Sequence, residues 1–177
     1  MGETKRDDPQ ALYQEMSGCV MEGVVTCEQE GLEWEGSLRC DYIPGEASTV
    51  EVLMPERIAG VKAIFDDTDW ALEYDGNTLN VGMLSVESIS PALCLPRLMD
   101  ALRNGWLQEQ NQEDWMEIPC LRLSLEQSGS EKKILSNIWL RQADYTPLWG
   151  EIVVDGERIL TAEFTSFAFY DTIDETS

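Results

Sequence analysis

Histidine is absent from this chain of 177 residues, and its absence excludes several kinds of site. Without an imidazole there is no histidine base, no Cys-His nucleophile pair and no zinc site of the ordinary histidine-containing type. The cysteines show no CxxC spacing, and five is an odd number, so at least one is unpaired within the chain. Buried thiols that act as small hydrophobic side chains are the preferred interpretation. They are Cys19, Cys27, Cys40, Cys94 and Cys120.

Positive charge is scarce. Lysine and arginine number 12 against 34 aspartates and glutamates, which gives a net charge of −22. A surface of this sign repels phosphate backbones and anionic headgroups at long range, so nucleic acid is excluded as an expected partner. The same charge favours solubility and cationic partners, although a solvated surface with no specific partner is the simpler interpretation.

Long apolar runs and targeting signals are also missing. No stretch approaches the roughly 18 apolar residues of a membrane-spanning helix, and no basic-then-apolar segment opens the chain. With 43% hydrophobic residues, the length suits one soluble domain. We therefore predict a single domain over residues 9–170. Residues 1–8 are predicted to be a polar tether or an expression-vector remnant, and residues 171–177 a polar tail.

Catalytic signatures are absent from the sequence as well. It contains no GxSxG, GxxxxGK[ST], GxGxxG or HExxH motif. The acidic run at residues 66–69 lacks the glycine and glutamate of an EF-hand loop and is expected to be a turn. A hydrolase with a carboxylate pair remains a third possibility, because it depends on a spatial separation of roughly 5–9.5 Å. We predict no enzyme activity, no catalytic or metal-binding residue and no cofactor.

What the sequence does contain is alternation of apolar and polar residues, the pattern of half-buried strands. It is clearest over residues 32–42, which form a predicted hairpin with residues 19–27. A disulfide between Cys19 and Cys40 stays open, since it requires a hairpin register that places the two residues diagonally. Further strands are predicted at residues 49–54, 61–65, 70–74, 79–83, 106–108, 115–125, 134–141, 148–154 and 158–170.

Two helices interrupt the strands. Asp8 and Pro9 are a typical N-cap and first residue for a short helix that ends near Met16. Residues 91–104 form the second predicted helix, which ends at Gly105. Its apolar residues recur at spacings of three and four, the period of a helix with one buried face. They are Leu95, Leu98, Met99 and Leu102.

Together these elements predict an α+β domain, mainly antiparallel β. Connections of two to six residues cannot join parallel strands, so neighbouring strands must be antiparallel. We expect one large sheet, curved into a half-open β-barrel, with the central helix covering its concave face. The rival arrangement is a two-sheet sandwich.

Apolar side chains are the remaining candidates for a functional site. The six tryptophans can line either a sealed core or a pocket. A concave apolar sheet would suit an acyl chain, since each buried CH₂ contributes about 0.8 kcal/mol. For a ligand held between the sheet and the central helix, the predicted binding residues are Leu53, Trp70, Leu72 and Leu98.

Two segments carry a resemblance to a known family. The first is Met54-Pro55-Glu56-Arg57 followed by residues 70–79, which include the Asp75-Gly76 turn; the second runs from residue 146 through Asp155-Gly156 to residue 167. In order and spacing, the chain from Gly18 to Tyr170 resembles the LolA-like carriers, the outer membrane lipoprotein-sorting proteins. The resemblance implies a half-closed barrel covered by helices.

The same resemblance implies a role outside the cytoplasm. The expected partner is a hydrophobic small molecule or lipid, including the acyl chains of lipoproteins. Membrane association would come only from a removed N-terminal lipid anchor, because residues 2–8 resemble the tether that follows a lipobox. The five cysteines and the charge of −22 depart from the outer membrane carriers. The alternative is a protein-interaction or sensor domain of the cell envelope without a bound lipid.

Overall fold

The computed structural model describes residues 8–31, 33–66, 69–83, 90–127 and 132–170. Most of the predicted tether and all of the predicted tail lie outside these residues. The described part forms two α-helices and eleven strands, one strand for each predicted segment. The helices are α1 (Pro9–Glu15) and α2 (Cys94–Asn104), and short 3-10 helices lie at Glu56–Ile58 and Pro91–Leu93.

The strands follow the predicted order along the chain. They are β1 (Cys19–Cys27), β2 (Trp34–Tyr42), β3 (Ser48–Met54), β4 (Lys62–Phe65), β5 (Asp69–Tyr74), β6 (Asn77–Met83), β7 (Trp106–Gln112), β8 (Cys120–Glu126), β9 (Ile134–Arg141), β10 (Pro147–Val154) and β11 (Glu157–Phe169).

Two predicted strands have wrong bounds. The strand predicted at residues 106–108 continues to Gln112 in β7. Residues 115–125 were expected to form a single strand, but β8 begins only at Cys120. Before it, Trp115 and Ile118 exchange backbone hydrogen bonds of 2.9 and 2.8 Å across a two-residue turn. Met116 and Glu117 form this turn with φ of 50° and 70°, a left-handed conformation that interrupts any strand. The apolar residues at 115 and 118 are therefore the two sides of a tight hairpin.

All strands belong to one antiparallel sheet in the order β6-β5-β4-β3-β2-β1-β11-β10-β9-β8-β7. Strands that are consecutive in sequence are also neighbours in the sheet, except β6 and β7, which lie at opposite edges. The pairing of β1 with β11 joins the two ends of the chain. The described edges β6 and β7 are not paired with each other, so the barrel is open. The predicted fold class, a mainly antiparallel half-open barrel with two helices, is confirmed.

The topology explains why α2 crosses the sheet. The chain leaves β6 at one edge and must enter β7 at the other, so the connection passes over one whole face. On its way α2 contacts β2, β8, β9, β10 and β11. Register shifts at Glu22/Gly23 and Ile152/Val153 mark β-bulges, which increase local twist and bend the strands around the helix.

The buried core lies between the sheet and α2. Along β1, every second residue from Cys19 to Cys27 is buried, and β9 has the same alternation up to Leu140. The period of two puts one face of each strand against the helix and leaves the other face partly in solvent. The concave face is therefore the apolar face, as the sequence pattern predicts.

Candidate functional site: the concave face beneath helix α2

The inward face of α2 fills the concave side of the sheet. Its four apolar residues at helical spacing are all fully buried, with 0% exposure: Leu95, Leu98, Met99 and Leu102. Burying a side chain of this size contributes about 1.5–3 kcal/mol relative to leaving it exposed. The space in which a ligand was expected is thus occupied by the helix itself.

Glycine at position 150 lets α2 approach β10 closely. A Cβ at Gly150 would lie 2.7 Å from Leu98 Cδ1, which is too short for two carbon atoms. Gly150 has no side chain and pairs with Ile138 on one side and Ala162 on the other. The sheet therefore has a shallow depression under Leu98, and this side chain occupies it.

The two helices cap one another at their C-terminal ends. Arg103 Nη1, in the last turn of α2, donates to the carbonyl oxygens of Tyr13 and Gln14 at 3.0 and 3.1 Å. In return, Gln10 Nε2 donates to the carbonyl oxygen of Gly105 at 3.0 Å, and Gln14 Nε2 donates to that of Arg103 at 3.0 Å. The last carbonyls of a helix have no partner within the helix, so these side chains satisfy them reciprocally.

We predict that Arg103→Gln loosens α1 from α2. The change removes a charged donor shared by two carbonyl oxygens, so we expect the free energy of unfolding to fall. The expected loss is only about 1–2 kcal/mol, because one of the two hydrogen bonds is solvent-exposed. Amide hydrogen exchange should rise in α1 and remain unchanged in β9. Arg103→Lys is the control: if the charge alone held the helices, lysine would restore the protection of α1.

The four predicted binding residues lie in different parts of this arrangement. Leu98 is in the buried core, and Trp70 and Leu72 on β5 are half-buried and pack against that core. Trp70 pairs with Phe65 and Leu72 with Ala63, so both face inward. Leu53 is half-buried at the register shift between β2 and β3, away from the regular alternation. The structure thus brings Trp70, Leu72 and Leu98 to one apolar core.

Several other inward residues, on β3 and β4, were not predicted as ligand contacts. Val52 packs against the core, and Ala63 and Phe65 on β4 are buried within it. Val52 shares the inward alternation of Val50, which could have identified it from the sequence. The short strand β4 has too few residues for its inward face to be read from periodicity alone.

A small polar cavity opens beside the C-terminal end of α2. Its volume is about 220 Å³, below the roughly 300–1,000 Å³ of ordinary small-molecule sites. Burial raises the pKa of Tyr42 at its wall, and Asp100 raises it further. Because the cavity is both small and polar, it does not suit an acyl chain. Its lining includes Tyr42, Ser48, Phe65, Asp66, Asp100 and Arg103.

Three tryptophans cluster on the convex face of the sheet. Trp139 and Trp149 are cross-strand partners, and the buried Ile138 and Leu140 place Trp139 on the opposite, convex face. Trp115 stacks on Trp149 with ring centroids 4.6 Å apart. Trp139 Nε1 donates to Glu113 Oε1 at 2.8 Å. These indoles fasten the hairpin at residues 115–118 to the sheet, which corrects the view that the tryptophans line only a core or a pocket.

All five cysteines are buried and unpaired, which confirms the interpretation of the thiols as small hydrophobic side chains. Cys40 pairs with Met21 and Cys19 with Tyr42, so Cys19 and Cys40 are diagonal neighbours, but no disulfide joins them. Burial is the main cause that raises the pKa of Cys19 to about 12, and Asp41 adds to it. The Cys19 thiol therefore stays protonated at neutral pH and is a poor nucleophile.

Potential metal ligands are dispersed over residues 8–31, 33–66, 69–83, 90–127 and 132–170. Within these ranges, no group of three or more histidine, cysteine, aspartate or glutamate side chains is arranged to hold a metal ion. At the predicted turn, Asp66 Oδ1 accepts from the backbone N–H of Asp69 at 3.0 Å, and residues 67 and 68 lie outside the described part. None of the described helices has the length and apolar character to cross a bilayer.

These features define the class of fold: an open antiparallel half-barrel whose concave face is covered by a helix that connects its two edges. No family model matches the chain, and no curated protein matches it by sequence. Similarity appears at the level of solved structures.

The solved structures that share this fold include the following three. An uncharacterized conserved protein from Thermus thermophilus is 13% identical with a TM-score of 0.52, over 93% of this chain and 87% of its own. A DUF1329 family protein from Desulfovibrio piger is 11% identical with a TM-score of 0.51, over 93% and 90%. A domain assigned as an outer membrane lipoprotein-sorting protein from Vibrio parahaemolyticus is 9% identical with a TM-score of 0.50, over 93% and 91%. The LolA-like fold predicted from the sequence is confirmed.

Proposed function

We propose that the protein is a non-enzymatic binding protein that holds a lipid, an acyl chain or another hydrophobic ligand on the concave face of its sheet. The observation that carries the proposal is the position of α2. This helix packs fully buried apolar side chains against the concave face. It is not part of the hydrogen-bonded sheet. It occupies the place that a ligand would take, and a ligand would bind by displacing it.

The energies of the two occupants are comparable. The four inward side chains of α2 contribute about 6–12 kcal/mol if each contributes about 1.5–3 kcal/mol on burial. An acyl chain of about 14 methylenes would contribute about 11 kcal/mol at 0.8 kcal/mol for each CH₂. An exchange between helix and ligand is therefore close to balanced, which suits reversible binding.

The arm formed by β3, β4 and β5 is the proposed entrance. Its inward residues Val52, Trp70 and Leu72 are half-buried, and α2 contacts β2 and β8–β11 more closely than this arm. A ligand could first contact these apolar side chains and then extend beneath the helix. Leu53 lies within this arm, on β3, and remains a proposed contact.

We further propose that the protein works outside the cytoplasm as a membrane-anchored lipoprotein. Support comes from the fold shared with the lipoprotein-sorting domain and from the polar residues 2–8, which suit a tether behind a removed lipid anchor. The charge of −22 argues against direct adhesion to anionic membranes and against nucleic acid as a partner.

Fatty-acid titration of delipidated protein tests the ligand proposal. We expect a fluorescent long-chain fatty acid to bind with a stoichiometry near one, and native mass spectrometry to show the complex. Leu72→Asp should weaken this binding by about tenfold, because a charge would face the acyl chain. Leu107→Asp is the matched control, since Leu107 is 40% exposed on β7 at the other end of the sheet. If Leu72→Asp and Leu107→Asp bind the fatty acid with equal affinity, the ligand does not contact the concave face at Leu72.

The alternative is an interaction or sensor domain of the cell envelope that binds no lipid. The filled concave face and the excess of carboxylates favour it. A delipidated protein that takes up no fatty acid, and whose captured partners dissociate as salt is raised, would support this alternative.

A further inference from the structure

Strand β7 is an open edge of the sheet. It is the last strand in the order and pairs only with β8 among the described strands. All seven of its residues are exposed, so both faces of the strand are in solvent. Trp106 at its start is 74% exposed, which is unusual for a tryptophan. An edge of this kind can pair with another extended chain.

The backbone of β7 has hydrogen-bonding groups directed away from the sheet. The backbone N–H of Glu113 donates to the carbonyl oxygen of Cys120 on β8 at 3.0 Å. Asn111, two residues before Glu113, pairs with Arg122 of β8. In an antiparallel ladder, alternate residues bond the partner strand, so the residues between them face the other way. The N–H and C=O groups of Gln110 and Gln112 therefore point to the open edge.

This edge has little of the protection that natural sheets use against strand addition. Edge strands are commonly blunted by lysine, proline, strong bulges or a covering segment. The sequence of β7, WLQEQNQ, contains no lysine and no proline. It has one register shift, between Leu107 and Glu109, and the four residues after that shift are regularly paired with β8.

The charge around the edge has one sign. Residues 106–119 contain four carboxylates and no lysine or arginine. Arg122 on β8 is the nearby cation, and it already lies 3.4 Å from both Glu109 and Glu113. A hydrogen bond from Asn111 and the Arg122 guanidinium lower the pKa of Glu109, so this carboxylate is charged at neutral pH. The carboxylates are Glu109, Glu113, Asp114 and Glu117.

We propose that β7 is a docking edge for an extended, lysine- or arginine-rich segment of a partner protein, which adds to the sheet as a further strand. Backbone bonds to Gln110 and Gln112 would give affinity, and the surrounding carboxylates would select the basic partner. A second copy of this chain is disfavoured as the occupant, because two molecules of charge −22 repel one another. Strand addition at β7 requires no ligand on the concave face.

The test uses a labelled peptide that alternates lysine and valine and matches the 7-residue length of β7. Fluorescence anisotropy should show binding that weakens as salt is raised. Gln110→Pro should reduce the affinity about tenfold or more, because proline removes the outward N–H and its ring blocks the edge while the bonds to β8 remain. Gln110→Thr, which keeps the N–H, should bind like the wild type.

Four outcomes would overturn the proposal. Equal affinity of the wild type and Gln110→Pro would mean attraction by charge alone. Equal affinity for a threonine-valine peptide and for the lysine-valine peptide would show that the edge does not select a basic partner. A dimer in sedimentation equilibrium that Gln110→Pro dissociates would make a second copy the occupant. Should Gln110→Pro fail to fold, amide exchange in the wild type decides: peptide that leaves the amides of Gln110 and Gln112 unprotected contradicts strand addition.

Discussion

Truncation of Leu98 to alanine is expected to lower the free energy of unfolding by about 2–5 kcal/mol and to increase uptake of a hydrophobic ligand. Leu98 is fully buried and occupies the depression over Gly150, so its loss leaves a cavity between α2 and β10. The packing of α2 against the sheet is then weaker, so a ligand that displaces the helix has less packing energy to offset. Urea unfolding and fatty-acid titration measure the two effects separately.

A double-mutant cycle with Gly150→Ala provides the control. In the wild type the added methyl would lie 2.7 Å from Leu98 Cδ1, so Gly150→Ala should destabilise by about 1–3 kcal/mol. In the Leu98→Ala background the same methyl enters the cavity, and its cost should fall to near zero or reverse sign. Additive effects would show that the two residues do not meet. A stability loss without increased uptake would contradict the displacement of α2 by a ligand.

The sequence was sufficient for the order and type of the elements and for the buried face of α2. A spacing of three and four at Leu95, Leu98, Met99 and Leu102 specifies a helix with one apolar side, and those residues are the ones that the structure buries. In β1 and β9, the alternation of apolar residues likewise predicted which side chains are buried. Periodicity succeeds here because one face of each element meets the core and the other meets water.

The filling of the concave face could not be predicted in the same way. Periodicity shows that Leu98 faces inward, but it does not show whether the opposing sheet lies in contact or leaves a void. That depends on Gly150, a residue whose role is visible only after the register of β9, β10 and β11 is known. The sequence therefore predicts an apolar interior without its volume.

Long-range pairing was also beyond local reasoning. The pairing of β1 with β11 joins segments more than a hundred residues apart, such as Val25 with Ala162. It determines that β6 and β7 become the edges, and thus that α2 must cross the concave face. No turn signal encodes this pairing, because hairpin chemistry specifies only strands that are adjacent in sequence.

Reciprocal capping of the helices was missed for a related reason. Arg103 is a basic residue in the last turn of α2, which a single helix would use at its own C-terminus. In the structure its guanidinium instead serves the carbonyls of α1, and Gln10 and Gln14 serve those of α2. Side-chain partners between two helices appear only when the helices are placed side by side.

Alkaline pH is expected to unfold the protein, and Cys19 contributes a large part of the effect. Burial and Asp41 raise the pKa of this thiol from its ordinary value of 9.0 to about 12 in the folded chain, while Arg103 lowers it by a smaller amount. The folded state thus holds the proton more tightly than the unfolded state. The associated stability is fully present below pH 9 and is lost as the pH rises toward 12.

At pH 11 the loss from Cys19 alone is on the order of 3 kcal/mol, since one pKa unit corresponds to about 1.4 kcal/mol. Urea unfolding from pH 8 to pH 11 under a reductant measures it. Cys19→Ala should reduce the slope of stability against pH in this range, because alanine fills most of the same buried space and does not ionise. Tyr13, Cys40, Tyr42 and Cys94, whose pKa values burial also raises, would contribute to the slope that remains. The same slope in both proteins would mean that the thiolate of Cys19 finds solvent without unfolding, which its complete burial opposes.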